Sequence, residues 1–211
     1  MQILLSQPKK PLVYHAGQYV EFLLPDEDPR PFSIANAPND QLIEFHVRHA
    51  PENLFTTKLI QQIRDTQKLA LGNPIGNMRY HPKPSYPLIF LAAGTGLAPC
   101  KAMIEEALRN KNHQDIYLYW GVRYQADLYW HEELSRLRDQ IKNFHYIPIL
   151  SSEGRVYDAA LKDHKNFSDK HIYASGPAEM VFATQKALST QGLNPTYFYS
   201  DWVDLLPQQY R

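Results

Sequence analysis

Hydrophobic positions along this chain change their period part-way through. Residues 18–24, 30–36 and 42–48 read as strands separated by Pro, Asp and Asn turns. The clearest alternation lies in 42–48, which sends Ile43, Phe45 and Val47 to one face and Glu44, His46 and Arg48 to the other. Residues 55–63 place Leu59, Ile60 and Ile63 at helical spacing. Short strands closed by turns predict a small antiparallel β-barrel. From residue 88 onward strand and helix patterns alternate instead. Strands at 88–93, 116–120, 144–150, 171–174 and 196–199 are separated by helices at 98–110, 128–141, 156–161 and 177–189. The 128–141 segment carries Leu134, Leu137 and Ile141 on one stripe. Such alternation predicts parallel pairing in a doubly wound α/β sheet.

Proline follows the same division, with 11 of 16 in residues 1–87. Lacking an N–H, proline suits edges and turns of β structure, and 81–87 is the natural linker. The expected domains are residues 1–83 and 84–211. Lys plus Arg and Asp plus Glu each number 22. That balance argues against a nucleic-acid footprint or a polybasic membrane patch, both of which need surplus positive charge. One cysteine, Cys100, excludes an internal disulfide, a four-cysteine zinc site and a cysteine-ligated iron–sulfur cluster within the chain. No apolar run approaches the roughly 18 residues of a membrane span. The expectation is a cytoplasmic protein without nucleic-acid or membrane partners.

The strongest local signal is Leu88-Ile-Phe-Leu-Ala-Ala-Gly-Thr-Gly-Leu-Ala-Pro99. A buried strand runs into Gly94-Thr95-Gly96, and a helix opens near Pro99. Glycines let the backbone approach a pyrophosphate, and a helix N-terminus offers N–H groups and a positive dipole end. The third glycine of the usual dinucleotide fingerprint is absent. Where an acid for the ribose would follow the next strand, Tyr119-Trp-Gly-Val-Arg123 carries an arginine, which suits a 2′-phosphate. A second glycine turn, Ser175-Gly176-Pro177, follows a later strand and falls on the same ligand-binding edge. Nearer the N-terminus, Arg30-Pro-Phe-Ser33 joins a permanent cation, a ring and a hydroxyl within four residues. His46 and His49 are three apart on one strand pattern, hence on opposite faces, so they suggest no metal site.

Arg-Pro-Phe-Ser, then Gly-Thr-Gly-Leu-Ala-Pro, then Ser-Gly-Pro-x-x-Met, in that order, resembles the ferredoxin–NADP⁺ reductase superfamily. The likeness is strongest toward bacterial NAD(P)H–flavin reductases and the CDP-6-deoxyglucoseen reductase type. It runs from Ala16-Gly-Gln-Tyr19 to Tyr199-Ser-Asp201 and implies hydride transfer from NADPH or NADH to FAD or FMN. By that resemblance Arg30 binds flavin phosphate, Phe32 lies against the isoalloxazine and Ser33 hydrogen-bonds its reactive N5. His46, Val47 and Arg48 line the flavin, and Thr56 contacts its phosphates. Gly94, Thr95, Gly96 and Pro99 cradle the dinucleotide pyrophosphate, while Gly121 and Arg123 flank its adenosine half. Ser175, Gly176, Pro177 and Met180 sit near the nicotinamide, and Asp201 matches an acidic position close to the flavin.

Four departures from the family pattern stand out. Ala50-Pro-Glu-Asn-Leu-Phe-Thr56 replaces a glycine-containing phosphate loop, and Glu52 adds like-charge repulsion, which predicts loosely held, exchangeable flavin. Ser175 stands where a cysteine usually precedes Gly-Pro. Trp202 replaces a small residue and can cover the flavin face. The chain also starts about 15–20 residues late in the family's register, so the first barrel strand is expected to be missing, with Met1 not the natural start or another segment covering the edge. Three functions fit: a flavin reductase, an FAD-bearing component that passes electrons to a separate iron–sulfur or oxygenase protein, or a non-catalytic nucleotide-binding subunit.

Overall fold

The computed structural model describes residues 1–38, 41–81 and 86–202. The boundary expected between residues 83 and 84, and most of the 81–87 linker, lie outside them. In the N-terminal domain, β1 (Gln2–Ser6) runs antiparallel to β4 (Leu42–His46), and β2 (Tyr19–Leu23) lies between β3 (Arg30–Ser33) and β5 (Ala70–Leu71). An Ile34–Phe45 bridge joins the two sheets into a small antiparallel barrel. Its core holds Val20, Phe22, Ile34, Ile43, Phe45 and Leu59, with Leu59 supplied by helix α1 (Leu54–Thr66).

Two strands here were not predicted. β1 lies along β4 from Gln2–His46 to Ser6–Leu42. β5 is only two residues long, too short to leave a periodic signal. The polar face of strand β4 is buried too. Glu44 and His46 are both buried, 8% and 6% exposed, because that face meets the second domain rather than water.

The C-terminal domain is a five-stranded parallel sheet ordered β10-β9-β6-β7-β8. Its strands are β6 (Leu88–Ala93), β7 (Ile116–Val122), β8 (Phe144–Leu150), β9 (His171–Ser175) and β10 (Phe198–Tyr199). Helices α2 (Leu97–Arg109) and α3 (His131–Gln140) cover one face with Met103, Ala107 and Leu134; α4 (Val156–Asp163) and α5 (Ala178–Ser189) cover the other with Ala160, Val181 and Leu188. The chain leaves β6 toward β7 and β8, then returns to place β9 on β6's other side. The carboxyl ends of β6 and β9 therefore form the switch point at which such sheets bind ligands. No helix among the described residues is long and apolar enough to cross a membrane.

Candidate active site

Glycine chemistry brings the two switch-point loops together. Gly94 turns at φ +55°, which L side chains rarely adopt, and the turn Gly94–Gly96 leads into α2. A Cβ on Gly96 would stand 2.2 Å from the Ser175 carbonyl oxygen, so only glycine lets the β6 loop press against the β9 loop. Gly96 is also the N-cap of α2 and has no side chain to occupy the helix's first N–H groups. Pro99 sits three residues into the helix, buried away from the opening. It is the one expected site residue that does not reach the cleft.

A cleft of about 1850 Å³ opens between the barrel and the carboxyl edge of the parallel sheet. Arg30, Phe32, Ser33, His46, Val47, Arg48 and Thr56 line it from the barrel side. Gly94, Thr95, Gly96, Gly121, Arg123, Ser175, Gly176, Pro177, Met180 and Asp201 line it from the other. Residues separated by as many as 171 positions, from Arg30 to Asp201, thus share one concavity.

Several of these side chains are already engaged. Phe32 stacks on Phe22 at 4.1 Å between centroids, so one ring face belongs to the barrel core. The Thr56 hydroxyl lies 2.9 Å from His49 Nδ1 and 3.1 Å from the Asn53 carbonyl. Asn53 is the N-cap of α1, its side chain accepting from the Thr56 N–H at 3.1 Å. That capping gives Asn53 a structural role at the start of α1. Glu52 is exposed on the cleft wall. Trp202 donates from Nε1 to the Gly176 carbonyl at 2.7 Å, which pins its ring beside the β9 loop.

His46 lines the cleft with both ring nitrogens in use. Nε2 lies 2.8 Å from Glu44 Oε1 and Nδ1 lies 2.8 Å from the Tyr129 hydroxyl. Burial opposes ionisation of Glu44, but hydrogen bonds from His46 and Lys101, with the Lys101 charge, outweigh it and hold its carboxyl down at about 2. A carboxylate only accepts, so in the neutral ring Nε2 donates to Glu44 and Nδ1 takes the phenol hydrogen. Burial, then the Glu44 charge, pushes the Tyr129 phenol up, which keeps that donor protonated. Cys100 is buried, and desolvation followed by the Asp201 charge raises its thiol well above the ordinary range, so it is no nucleophile.

Sequence reasoning overlooked Tyr129, Arg155 and Tyr157, which also line the cleft. Arg155 and Tyr157 follow β8, so applying the carboxyl-edge rule to every strand would have found them. Among the described residues no cluster of three His, Cys, Asp or Glu side chains could hold a metal ion.

Residues 90–186 match the oxidoreductase NAD-binding domain family. The solved Amycolatopsis cytochrome P450 reductase GcoB superposes with a TM-score of 0.82 at 28% identity, covering 95% of this chain and 64% of that one. The chain belongs to the ferredoxin–NADP⁺ reductase superfamily. Within the superfamily it is 32% identical over 198 residues to the terephthalate 1,2-dioxygenase reductase component 1 of Comamonas, covering 89% of this chain and 59% of that relative. It is 28% identical over 199 residues to the NAD(P)H-flavin reductase of Vibrio harveyi, covering 88% and 84%. The chain spans 59–62% of the length of the first curated relatives it matches.

Proposed function

We propose that this chain is a flavin-dependent NAD(P)H oxidoreductase that works as an NAD(P)H–flavin reductase. The observation that supports this is the facing of two motif sets across one cleft: Arg30, Phe32 and Ser33 on the barrel, Gly94–Gly96 and Ser175–Pro177 on the sheet. Its volume of about 1850 Å³ exceeds the roughly 300–1,000 Å³ of a site for one drug-sized molecule, which suits two nucleotides. The residues fit those groups. Gly94 faces open space beside the α2 N-terminus, which has no side-chain cap and suits a pyrophosphate, and Arg30 and Arg48 are exposed cations on the flavin side. A bound flavin would supply the hydride acceptor and NAD(P)H the donor.

The protein's own residues bind, orient and exclude water. Arg30 and Thr56 hold flavin phosphate, Phe32 backs the ring system and Ser33 offers a hydroxyl to its reactive edge. His46, Val47 and Arg48 form the wall beside it. The Gly94–Gly96 turn carries the dinucleotide pyrophosphate, Gly121 and Arg123 flank its adenosine half, and Met180 with the Ser175–Pro177 loop shapes the nicotinamide end. Asp201 and Trp202 close the cleft near the ring, and the Trp202 hydrogen bond to Gly176 ties that closure to the nicotinamide loop. Arg123 and Arg155 lie exposed at the carboxyl ends of β7 and β8, where two guanidiniums favour a 2′-phosphate and hence NADPH.

The deciding experiment is anaerobic mixing of the purified chain with NADPH or NADH and free FAD or FMN, following loss of the flavin's visible band. Catalytic bleaching is expected; its absence with all four pairs would leave a non-catalytic nucleotide-binding role. A second reading, electron delivery to a separate iron–sulfur or oxygenase protein, is favoured by the Comamonas relative's description as a dioxygenase reductase component. It requires flavin that stays bound through gel filtration, whereas the leading reading expects it to be lost.

A further inference from the structure

The seam between the two domains contains a buried cation that the chemistry across the cleft does not use. Lys101, on α2, is 3% exposed. Its Nζ reaches Ala35 O at 3.0 Å, Glu44 Oε2 at 2.8 Å and Glu105 Oε1 at 2.6 Å, and it lies 4.4 Å from the centre of the Trp130 ring. An ammonium has three donors, and all three are spent. Two go to the barrel and one to Lys101's own helix. Glu105 continues the seam by accepting from the Ala37 N–H at 2.9 Å. Glu44 is met from three sides, by Gln2 Nε2, His46 Nε2 and Lys101 Nζ, each at 2.8 Å.

A buried ion pair contributes little net stability against an apolar pair of the same volume, because desolvation offsets the attraction. Its distinctive property is direction: each bond tolerates only a few tenths of an ångström and a limited angle. The apolar portion of the seam, where Ala16 and Met78 pack into the α2 core, has no such preference and allows sliding. The polar portion leads straight to the cleft, since Glu44 holds His46 and His46 holds Tyr129, both cleft-lining.

We propose that Lys101 is a positioning residue that fixes the angle between barrel and nucleotide domain, and that Glu44, His46 and Tyr129 transmit this setting to the cleft wall. Hydride transfer depends steeply on the gap between donor and acceptor, and a misplacement of about 1 Å can cost on the order of 100-fold. Domain angle therefore enters the rate while leaving each nucleotide's own contacts intact. The kinetic side of this inference rests on the hydride-transfer reading; the mechanical side does not.

The test compares the full chain with Lys101→Met, Glu44→Gln and the double variant, the last removing both charges so that none is left buried alone. Without nucleotides, calorimetry is expected to give one transition for the native chain and two for the variants, as the domains lose their coupling. Fluorescence titration is expected to give FAD and NADP⁺ affinities within about twofold of native, while single-turnover bleaching slows about 10- to 100-fold. The double variant should be no slower than the worse single, because the pair acts as a unit. One calorimetric transition in every variant, native rates, or a rate loss matched by an equal loss of affinity would each overturn the proposal. Should the native chain bleach no flavin at all, the hydride-transfer reading falls and calorimetry alone decides whether Lys101 couples the domains.

Discussion

Ser33 and the two cleft arginines make separable demands on chemistry and on binding. Ser33 is half-buried on the barrel wall, and on the reading proposed above its hydroxyl orients the hydride acceptor without holding the nucleotide. Ser33→Ala is expected to keep flavin and NADP⁺ affinity and to slow single-turnover reduction about 10- to 100-fold, the loss typical of one positioned polar group. An unchanged stopped-flow rate would remove Ser33 from the reaction. On the reading proposed above, Arg123 and Arg155 act at the far end, on the 2′-phosphate. Arg123→Ala is expected to lower kcat/KM for NADPH about tenfold, a charge-assisted hydrogen bond's share, and to leave NADH unchanged. Equal loss with both cofactors would place Arg123 on the shared portion of the dinucleotide.

The elements show why some of the site was legible in the sequence. Strand β6, its glycine turn and α2 are contiguous, so a local pattern contains the whole strand–turn–helix unit, and the expected strands 88–93 and 144–150 match β6 and β8 in full. Strand β4 was only partly legible. Its alternation correctly sent Ile43 and Phe45 to the barrel core, but period 2 cannot say whether the other face meets water or a second domain. Glu44 pairs with Lys101, 57 residues away, and nothing local marks that meeting. The glycines of the β6 turn carry a further prediction, because they are required for different reasons. Gly94 faces open space but needs positive φ, whereas Gly96 faces the Ser175 carbonyl. Gly94→Ala should therefore cost about 1–2 kcal/mol as backbone strain. Gly96→Ala must push the β6 and β9 loops apart and should cost about 1–3 kcal/mol together with most NADP⁺ affinity, as read by urea unfolding and by titration. Retained NADP⁺ affinity in Gly96→Ala would mean that the loop contact is not what shapes the site.

At the scale of the whole molecule, the barrel and the sheet are joined by charges whose ionisation depends on the fold, so acid stability reports on the seam. Glu44 ordinarily titrates at 4.5 and is held at about 2 in the folded chain. A carboxyl with a depressed folded value binds its proton more readily when unfolded, so its stabilisation is complete above about 4.5 and is lost as pH falls toward about 2. The whole window is worth about 3 kcal/mol, at roughly 1.4 kcal/mol for each unit of depression. Because Glu44 is only 8% exposed, solvent screening removes little of that. Between pH 4 and 3 the native chain should lose about 1 kcal/mol more stability than Glu44→Gln, which has no proton to take up. Urea midpoints at those two pH values check this directly. Parallel losses in the two proteins would mean that Glu44 gains nothing from Lys101 and His46, and a seam built on it could not set the domain angle. A steeper loss in the native chain that disappears in Lys101→Met as well would assign the effect to the ion pair across the domains rather than to His46 and Gln2 within the barrel.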